Sequence, residues 1–387
     1  MSKTFALDVR LVGKQRTGDE TVFLELTRAL LQSDSDNRYL LLTDETDPEK
    51  LRALRERFGS LERQDVEIVS LPSSGRFHWN AFALPRFLRT HTPDVYHTQY
   101  ILPLWIPRST KVVLHIHDVS FRAYPRLIGW KDRLFLSLLI PRSLRRADAV
   151  VTPSAFTKEE VTRFYGTDPQ KIHVIPNALS ISLPLPDPAE QEALRTRYHL
   201  PQDFVIAVGT LQPRKNIPTL IRACAELRKR IPDVALVLVG NPKAHHFDQE
   251  IPAALRETGL EQATVFPGYI ASEDLLGVIS LARVYAFPSL YEGFGIPMLE
   301  AFAAGVPVAA SDIPALRETG GEAARYFPPH DVARLSETLY TLFIRESECQ
   351  DLVALGKERI KRFSWSESGV KLRALYERLS ENKNSAV

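Results

Sequence analysis

Cysteine, long apolar runs and an excess of charge of either sign are what this sequence lacks. Its 387 residues include two cysteines, Cys224 and Cys349, each in a helical pattern and far from a second Cys or a His at metal-ligand spacing. We therefore expect no disulfide framework and no metal site. No segment reaches the roughly 18 apolar residues that span a bilayer. A net charge of +2 also argues against a nucleic-acid-binding protein, which needs a dense basic surface.

The N-terminus leaves no room for a secretory signal. Met1 to Thr4 runs directly into a β-rich segment at residues 5–9, so no apolar signal core fits before it. We expect a cytoplasmic protein.

Short β-rich segments alternate with helical patterns along most of the chain, which predicts parallel sheets crossed by helices, an α/β fold. The first series of predicted strands is 5–9, 39–43, 66–70, 95–97, 112–117 and 149–152, with a helix from about residue 20 to 32. The second series is 204–208, 234–239, 263–266, 284–287 and 306–310, with helices at 217–229 and 272–282. Two Rossmann-like halves are expected.

The length and a proline-rich segment predict where these halves divide. A chain of 387 residues exceeds what one hydrophobic core usually supports. Residues 179–190 contain prolines that interrupt both helix and central strand. We predict domains at residues 1–180 and 181–364, followed by an amphipathic C-terminal helix in 365–387 that packs back toward the first domain.

Two loops of the second half carry the candidate chemistry. Ligands of such sheets bind beyond the carboxyl ends of the strands. After strand 204–208, Gly209 leads to the adjacent cations Arg214 and Lys215 at a strand-to-helix turn, where backbone amides also favour anions. This is either a phosphate site or a pair of solvated loop charges.

The second loop reads Pro-Ser-Leu-Tyr-Glu-Gly-Phe-Gly-Ile-Pro-Met-Leu-Glu-Ala from residue 288 to 301. Gly293 and Gly295 allow backbone to approach a ligand, and Pro297 suits a first helical turn. We expect a short helix whose N-terminus attracts a diphosphate, with Glu300 accepting hydrogen bonds from ribose hydroxyls and Glu292 nearer a reacting sugar. An exposed Glu beside a packing turn is the alternative.

These motifs resemble the retaining nucleotide-sugar glycosyltransferases of glycosyltransferase family 4, which have the GT-B fold. The resemblance is carried by Glu292 and Glu300 with seven residues between them, and by Val208 to Asn216. It extends over nearly the whole chain and implies two Rossmann-like domains facing across a cleft, the first on the acceptor side and the second binding the nucleotide sugar. The closest likeness is to bacterial mannosyltransferases.

The resemblance also implies roles for residues. It makes Glu292, Arg214, Lys215 and His117 catalytic, His117 being the second histidine of the segment His-Ile-His-Asp at 115–118. Base recognition is expected near Gly268 to Ile270. The implied donor-binding residues are Gly209, Tyr269, Ile270, Gly293, Phe294, Gly295, Ile296, Pro297 and Glu300.

One loop departs from the family pattern. Relatives often carry Thr-Gly-Ile-Gly-Arg after the first strand, whereas this chain has Arg16-Thr17-Gly18-Asp19-Glu20. This acceptor-side loop therefore has lost a glycine and an arginine. The change supports an alternative, a catalytically silent nucleotide-sugar-binding protein or partner subunit.

The implied reaction is metal-independent transfer of a hexosyl group with retention, in polysaccharide synthesis, and needs no cofactor. GDP-mannose is the favoured donor, a UDP-sugar is the alternative, and the acceptor is a saccharide or a lipid-linked saccharide. An epimerase or phosphorylase on the same scaffold is a further alternative. Residues 130–146 mix apolar and basic side chains, which fits a half-buried crossover helix or peripheral contact with the inner face of a membrane.

Overall fold

A computed structural model of the protein describes residues 2–14, 18–124, 130–180, 185–242 and 247–381, with backbone alone for 130–134. The chain forms two compact units. The first unit comprises Met1–Ser180 and Ser364–Val387, and the second comprises Ile181–Phe363.

The first unit is built on a seven-stranded sheet in which all strands are parallel. Its strands are β1 (Thr4–Asp8), β2 (Arg38–Thr43), β3 (Val66–Ser70), β4 (Val95–Gln99), β5 (Lys111–His115), β6 (Ala149–Thr152) and β7 (Ile172–Val174). They lie in the order β3-β2-β1-β4-β5-β6-β7. The strand order therefore reverses between β1 and β4.

Helices lie in most connections between these strands, as is usual for parallel pairing, but not between β4 and β5. They are α1 (Gly18–Gln32), α2 (Pro48–Arg57), α3 (Arg76–His78), α4 (Leu84–His91), α5 (Ser120–Ala123), α6 (Trp130–Arg146), α7 (Ala155–Tyr165) and, at the end of the chain, α16 (Trp365–Glu381). A π-helical turn, Trp79–Ala83, joins α3 to α4.

Helix α16 completes the first unit by packing on α1. Gly369 permits the close approach, since a Cβ there would lie 2.4 Å from the carbonyl carbon of Ala29. Ser368 donates a hydrogen bond to the carbonyl of Pro176 at 2.7 Å. Leu372, Leu375 and Tyr376 join the core beneath. The last helix thus covers apolar surface that the preceding chain leaves open.

The second unit repeats this plan with a six-stranded parallel sheet. Its strands are β8 (Phe204–Val208), β9 (Ala235–Val239), β10 (Thr264–Gly268), β11 (Val284–Phe287), β12 (Val308–Ser311) and β13 (Ala324–Phe327), in the order β10-β9-β8-β11-β12-β13. Strands β8 and β9 are entirely apolar because helices cover both faces.

The helices of the second unit are α8 (Pro188–Tyr198), α9 (Ile217–Arg228), α10 (Glu250–Thr258), α11 (Ser272–Ser280), α12 (Ile296–Ala303), α13 (Pro314–Gly320), α14 (Val332–Ile344) and α15 (Glu346–Ile360). Helix α8 begins within the proline-rich segment, at Pro188, where Asp187 accepts hydrogen bonds from the amides of Ala189 and Glu190. This cap fixes where helical structure resumes.

The α/β class and the two Rossmann-like sheets predicted from the sequence are confirmed. Several boundaries were wrong. β5 ends at His115, so His117 lies beyond the strand, and α1 begins at Gly18, which places that residue in a helical turn. Strands β7 and β13 were missed because one is three residues long and the other contains Arg325. Cys224 is buried and Cys349 is partly exposed.

Candidate active site

The loops that follow β8 and β11 meet at the point where the strand order of the second sheet reverses. Strand β8 pairs with β9 on one side and β11 on the other. A small pocket at their carboxyl ends is lined by residues of both loops, among them Gly209, Thr210, Lys215 and Ser289. Open α/β sheets bind ligands at this position because the two loops diverge from it.

The first loop is held in shape by close backbone packing. The carbonyl oxygen of Gly209 lies so near Gly240 that a Cβ on residue 240 would be 2.3 Å from that oxygen. A 3₁₀ turn, Pro213–Lys215, then leads to Asn216, which adopts a left-handed conformation with φ of 55°. The Asn216 side-chain amide donates to the carbonyls of Pro288 at 3.0 Å and Pro329 at 2.7 Å. Asn216 therefore ties the first loop to the second.

Arg214, Lys215 and Glu292 form an ion-paired group that we call the Glu292 cluster. Lys215 Nζ lies 2.5 Å from Glu292 Oε1, and Arg214 Nη1 lies 3.2 Å from Glu292 Oε2. The side chains of Lys215 and Glu292 are 11% and 10% exposed. Each carboxylate oxygen thus faces one cation in a site that largely excludes water.

The charge state of Glu292 follows from these neighbours. Burial alone would raise the pKa of its carboxyl, but the charges of Lys215 and then Arg214 outweigh burial and lower the pKa to about 2. Glu292 is therefore an anion at neutral pH, and it offsets part of the positive charge at the pocket.

Helix α12 supplies the second carboxylate. It starts after Gly295, whose φ of 110° disfavours other residues and where a Cβ would lie 2.8 Å from Leu316. Pro297 occupies its first turn, and Gly305 follows its end with φ of 71°. The predicted short helix is confirmed.

Glu300 lies on α12 in a half-buried position with different surroundings. Among the described residues, none donates a hydrogen bond to its carboxylate and none forms an ion pair with it. Burial raises the pKa of Glu300 to about 7. The nearby hydroxyl of Tyr285 is directed instead toward the carbonyl of Val208, at 3.5 Å. Glu300 is thus a carboxylate with unused capacity to accept hydrogen bonds.

The other predicted donor-binding residues take several positions. Gly293 and Phe294 are buried, Ile296 and Pro297 are half-buried, and Thr319 donates to the Phe294 carbonyl at 2.6 Å. Beyond β10, Tyr269 is 82% exposed whereas Ile270 is buried. Arg16 and Thr17 lie outside the described residues.

His117 belongs to the first unit and ends a row of three buried imidazoles, His97, His115 and His117, here called the histidine stack. His115 lies 5.8 Å from His97 and 4.2 Å from His117 between ring centroids. The hydroxyl of Tyr376 on α16 contacts His97 Nδ1, and Gln99 Oε1 lies 2.7 Å from His117 Nε2. Burial lowers the pKa of His97 to about 3 and lowers that of His115 as well, so both are neutral.

Sequence reasoning missed Asn216 and Gln99. Asn216 directly follows the predicted cations, and an Asn at a strand-to-helix turn is itself a signal for a left-handed residue. Gln99 shares a sheet face with His97 because residues two apart in a strand point the same way. That spacing was available in the sequence, but its pairing with His117 depends on the β4–β5 register.

No three His, Cys, Asp or Glu side chains in the described parts of the chain come together in a way that could hold a metal ion. Lys215 lines the described pocket, Arg214 precedes it in the same turn, and the charge of both suits an anionic ligand.

Comparison with known proteins identifies both halves of the chain. Residues 16–183 match the family described as Glycosyltransferase Family 4, and residues 191–359 match Glycosyl transferases group 1. The chain is 31% identical over 286 residues to O-antigen chain mannosyltransferase B of Escherichia coli, an alignment covering 72% of each protein.

Solved structures with a similar fold are glycosyltransferases of the GT-B type. Sucrose-phosphate synthase from Thermosynechococcus elongatus matches with a TM-score of 0.76 at 22% identity, covering 97% of this chain and 99% of that one. Anabaena HepE in complex with UDP and glucose matches with a TM-score of 0.73 at 19% identity, covering 98% and 100%. At these identities the match supports the fold.

Proposed function

Because the chain belongs to glycosyltransferase family 4, we propose that it is a retaining hexosyltransferase that transfers mannose from GDP-mannose to a saccharide or lipid-linked acceptor in cell-surface polysaccharide synthesis. Membership of the family is established by the comparisons, whereas the mannosyl group, the GDP and the retention of configuration are proposed. The proposal is supported by two features near the switch point of the second sheet. Arg214 and Lys215 of the Glu292 cluster carry positive charge, and Glu300 has no ion-pair partner among the described residues.

In this proposal the donor diphosphate binds Arg214 and Lys215, and the ribose hydroxyls donate to Glu300. Phosphate oxygens suit these cations because charge-assisted hydrogen bonds are the strongest a side chain makes. Glu292 then turns from the two cations toward the donor sugar. The N-terminal amides of α12 add a favourable partial charge for the diphosphate.

Transfer breaks the bond between the anomeric carbon and the diphosphate oxygen, and the leaving group takes the electron pair. The acceptor oxygen forms the new bond on the same face, and its proton passes to the departing phosphate. Arg214 and Lys215 stabilise the charge that develops on the diphosphate, so no metal is required. Removing one such group costs about 10² to 10³ in rate.

The preference for mannose and GDP rests on likeness. The Escherichia coli relative is a mannosyltransferase by name, whereas the similar HepE structure holds UDP and glucose. A UDP-sugar is therefore the alternative that the test must separate.

Calorimetric titration of GDP, GDP-mannose, UDP and UDP-glucose into metal-free protein tests the donor site. We expect GDP and GDP-mannose to bind, and Arg214→Ala and Glu300→Ala to weaken both by at least about tenfold. Arg325→Ala, on an exposed ion pair of the same unit, is the matched control and should bind normally. Binding of UDP ligands alone would move the proposal to a UDP-sugar.

If none of the four ligands binds, with or without divalent metal, the donor proposal fails. Binding of nucleotide without turnover on any mannoside acceptor would instead support a silent nucleotide-sugar-binding protein.

We propose that His117 takes part in the reaction from the first unit, because its place after β5 matches the family's His-Asp pair. Loss of turnover in His117→Ala with unchanged GDP binding would support this role.

We also propose peripheral contact with the inner face of a membrane. Exposed aromatic rings of Phe77, Phe82 and Trp105 lie on the first unit, and Leu138 of α6 is 65% exposed. Arg142 of α6 donates to the carbonyls of Pro103 and Leu104 and so joins α6 to that loop. None of the described helices combines the length and apolarity needed to cross a bilayer.

Sedimentation with vesicles containing anionic lipid tests this contact. Binding that weakens in Phe77→Ser and Leu138→Ser is expected, and Leu355→Ser, an exposed apolar residue of the second unit, serves as control. Equal sedimentation with and without vesicles would contradict the proposal.

A further inference from the structure

Gln99 is the last residue of β4, beside the point where the strand order of the first sheet reverses. Its neighbour in register is His115 on β5. The chain turns sharply after it, since the amide of Ile101 donates to the carbonyl of Gln99 at 2.6 Å. Gln99 thus lies at the ligand-binding edge of the first sheet.

Tyr100 adopts a left-handed backbone conformation with φ of 57°. This conformation costs a non-glycine residue about 1–2 kcal/mol, and such strain tends to be kept where it serves a site. The Tyr100 ring lies 5.6 Å from the His117 ring. The strained turn therefore sets the position of Gln99 against His117.

The proton arrangement of the pair follows from burial. His117 is 6% exposed, and its Nδ1 is buried with no hydrogen-bond partner in the described parts of the chain. A buried N–H without an acceptor costs about 1–3 kcal/mol. The ring therefore carries its proton on Nε2, which donates to Gln99 Oε1 at 2.7 Å.

This arrangement leaves the amide nitrogen of Gln99 as the available group. The side-chain oxygen Oε1 of Gln99 accepts a hydrogen bond from His117. Within the described residues no acceptor lies in hydrogen-bonding distance of Gln99 Nε2. Gln99 is half-buried, so this NH₂ group reaches solvent, whereas both nitrogens of His117 are occupied or covered. The pair presents two N–H donors in a fixed direction.

We infer that Gln99 is a substrate-binding residue whose amide NH₂ donates to a hydroxyl of a sugar, and that His117 is its positioning residue. The inference rests on the proposed function for the nature of the substrate. The hydroxyl belongs either to the acceptor or to the transferred hexose, and both are polyols that accept from an amide. Tyr100 keeps the amide oriented through the turn.

The test uses full-length protein labelled with ¹⁵N in histidine and in the glutamine side chains. Methyl α-D-mannopyranoside serves as acceptor probe and GDP-mannose as donor probe. We expect His117 to show the Nε2-protonated tautomer, and the Gln99 amide signal to shift saturably with one of the probes. The probe that moves it identifies which sugar Gln99 contacts.

Variants test the Gln99 NH₂ group and the His117 N–H separately from the packing of the two side chains. Gln99→Glu retains an acceptor for His117 but replaces NH₂ by oxygen, so the dissociation constant of the responding probe should rise about tenfold. His117→Phe keeps the ring packing, removes the N–H, and should weaken binding by about threefold while shifting the Gln99 signal. Gln202→Glu, at an exposed glutamine of the second unit, should change neither.

The inference is overturned if His117 is protonated on Nδ1, if the Gln99 signal responds to neither probe at concentrations up to about 100 mM, roughly a hundredfold above a 1 mM dissociation constant, or if Gln99→Glu binds like wild type. If Gln99→Glu does not fold, Gln99→Met, which removes both the NH₂ group and the acceptor for His117, should weaken binding of the responding probe at least as much, and wild-type binding by it would overturn the inference. Failure of the proposed function is distinct. It would appear as a Gln99 response to the mannoside in a protein to which no nucleotide sugar binds.

Discussion

The two sheets follow the same strand order, yet the groups at their switch points satisfy buried polarity in different ways. In the second unit, Glu292 faces Lys215 and Arg214 as an ion-paired cluster. In the first unit, His97 and His115 of the histidine stack are neutral, and the stack is hydrogen-bonded at its two ends by Tyr376 and Gln99. A fold of one type thus holds an ion-paired carboxylate in one unit and hydrogen-bonded imidazoles in the other. The fold alone does not decide the chemistry of its switch point.

The largest expected effect comes from opening the Glu292 cluster. Lys215→Met should lower the free energy of unfolding of the second unit by about 3 kcal/mol, because it leaves a buried carboxylate with one cation fewer. Urea unfolding followed by circular dichroism measures it. Lys229→Met is the control, since the exposed Lys229–Glu226 pair should contribute less than about 1 kcal/mol. Equal effects of the two substitutions would show that the cluster is not a desolvated site.

The next largest effect is a difference between the two units in how their free energies of unfolding respond to acid. Since the pKa values of His97 and His115 are lowered from 6.5, their neutral forms contribute stability that is present above pH 6.5 and is lost as pH falls below it. For Glu292 the pKa is lowered from 4.5 to about 2, so its contribution persists until pH falls below 4.5. The first unit should therefore weaken by about 2.7 kcal/mol per pH unit below 6.5.

All four tryptophans lie in the first unit, so fluorescence reports its unfolding separately. His115→Phe should reduce the acid sensitivity by about half, because one of the two imidazoles no longer takes up a proton on unfolding. Unchanged pH dependence in this variant would mean that the stack does not cause the acid sensitivity. His97, His117 and Tyr376 are retained in this variant.

Within the second unit, the pKa values of the two glutamates are shifted in opposite directions, so Glu300 takes up a proton at a much higher pH than Glu292. The pKa of Glu300 is raised to about 7, so its carboxylate becomes protonated as pH falls below 7 and loses acceptor capacity for ribose. GDP binding should weaken by up to about tenfold per pH unit between 7 and 5. Calorimetry at several pH values measures this. Glu300→Gln should bind weakly at every pH, and a wild-type slope retained in that variant would contradict the assignment.

The smallest effects compare Tyr100 and Asn216, one residue from each unit with a left-handed backbone conformation. Tyr100→Gly should raise the free energy of unfolding by about 1 kcal/mol, because glycine relieves the strain. Asn216→Gly relieves the same strain but removes the hydrogen bonds to Pro288 and Pro329, so it should lower stability by about 1 kcal/mol. Denaturant midpoints of the two variants should move in opposite directions, and a shift in the same direction would remove the proposed difference between the loops.

Much of the fold and of the second unit's site could be predicted from sequence because the signals are local. Apolar runs at β8 and β9, the glycines around α12 and the spacing of Glu292 and Glu300 all lie within short segments. The strands that the sequence did not predict depend on pairing with a neighbouring strand instead. β7 pairs with β6 although it is three residues long, and only sheet pairing distinguishes it from a loop.

The amino-acid sequence by itself determined the two α/β series, the family and the segments that carry the cations and carboxylates, since periodicity and short motifs encode these properties. Tertiary structure decided which groups face one another. Lys215 and Glu292 are 77 residues apart and His97 and Tyr376 are 279 apart, and Gln99 meets His117 through the register of β4 with β5. Contacts of this kind depend on strand order and helix packing, and those in turn depend on the summed burial of the whole chain.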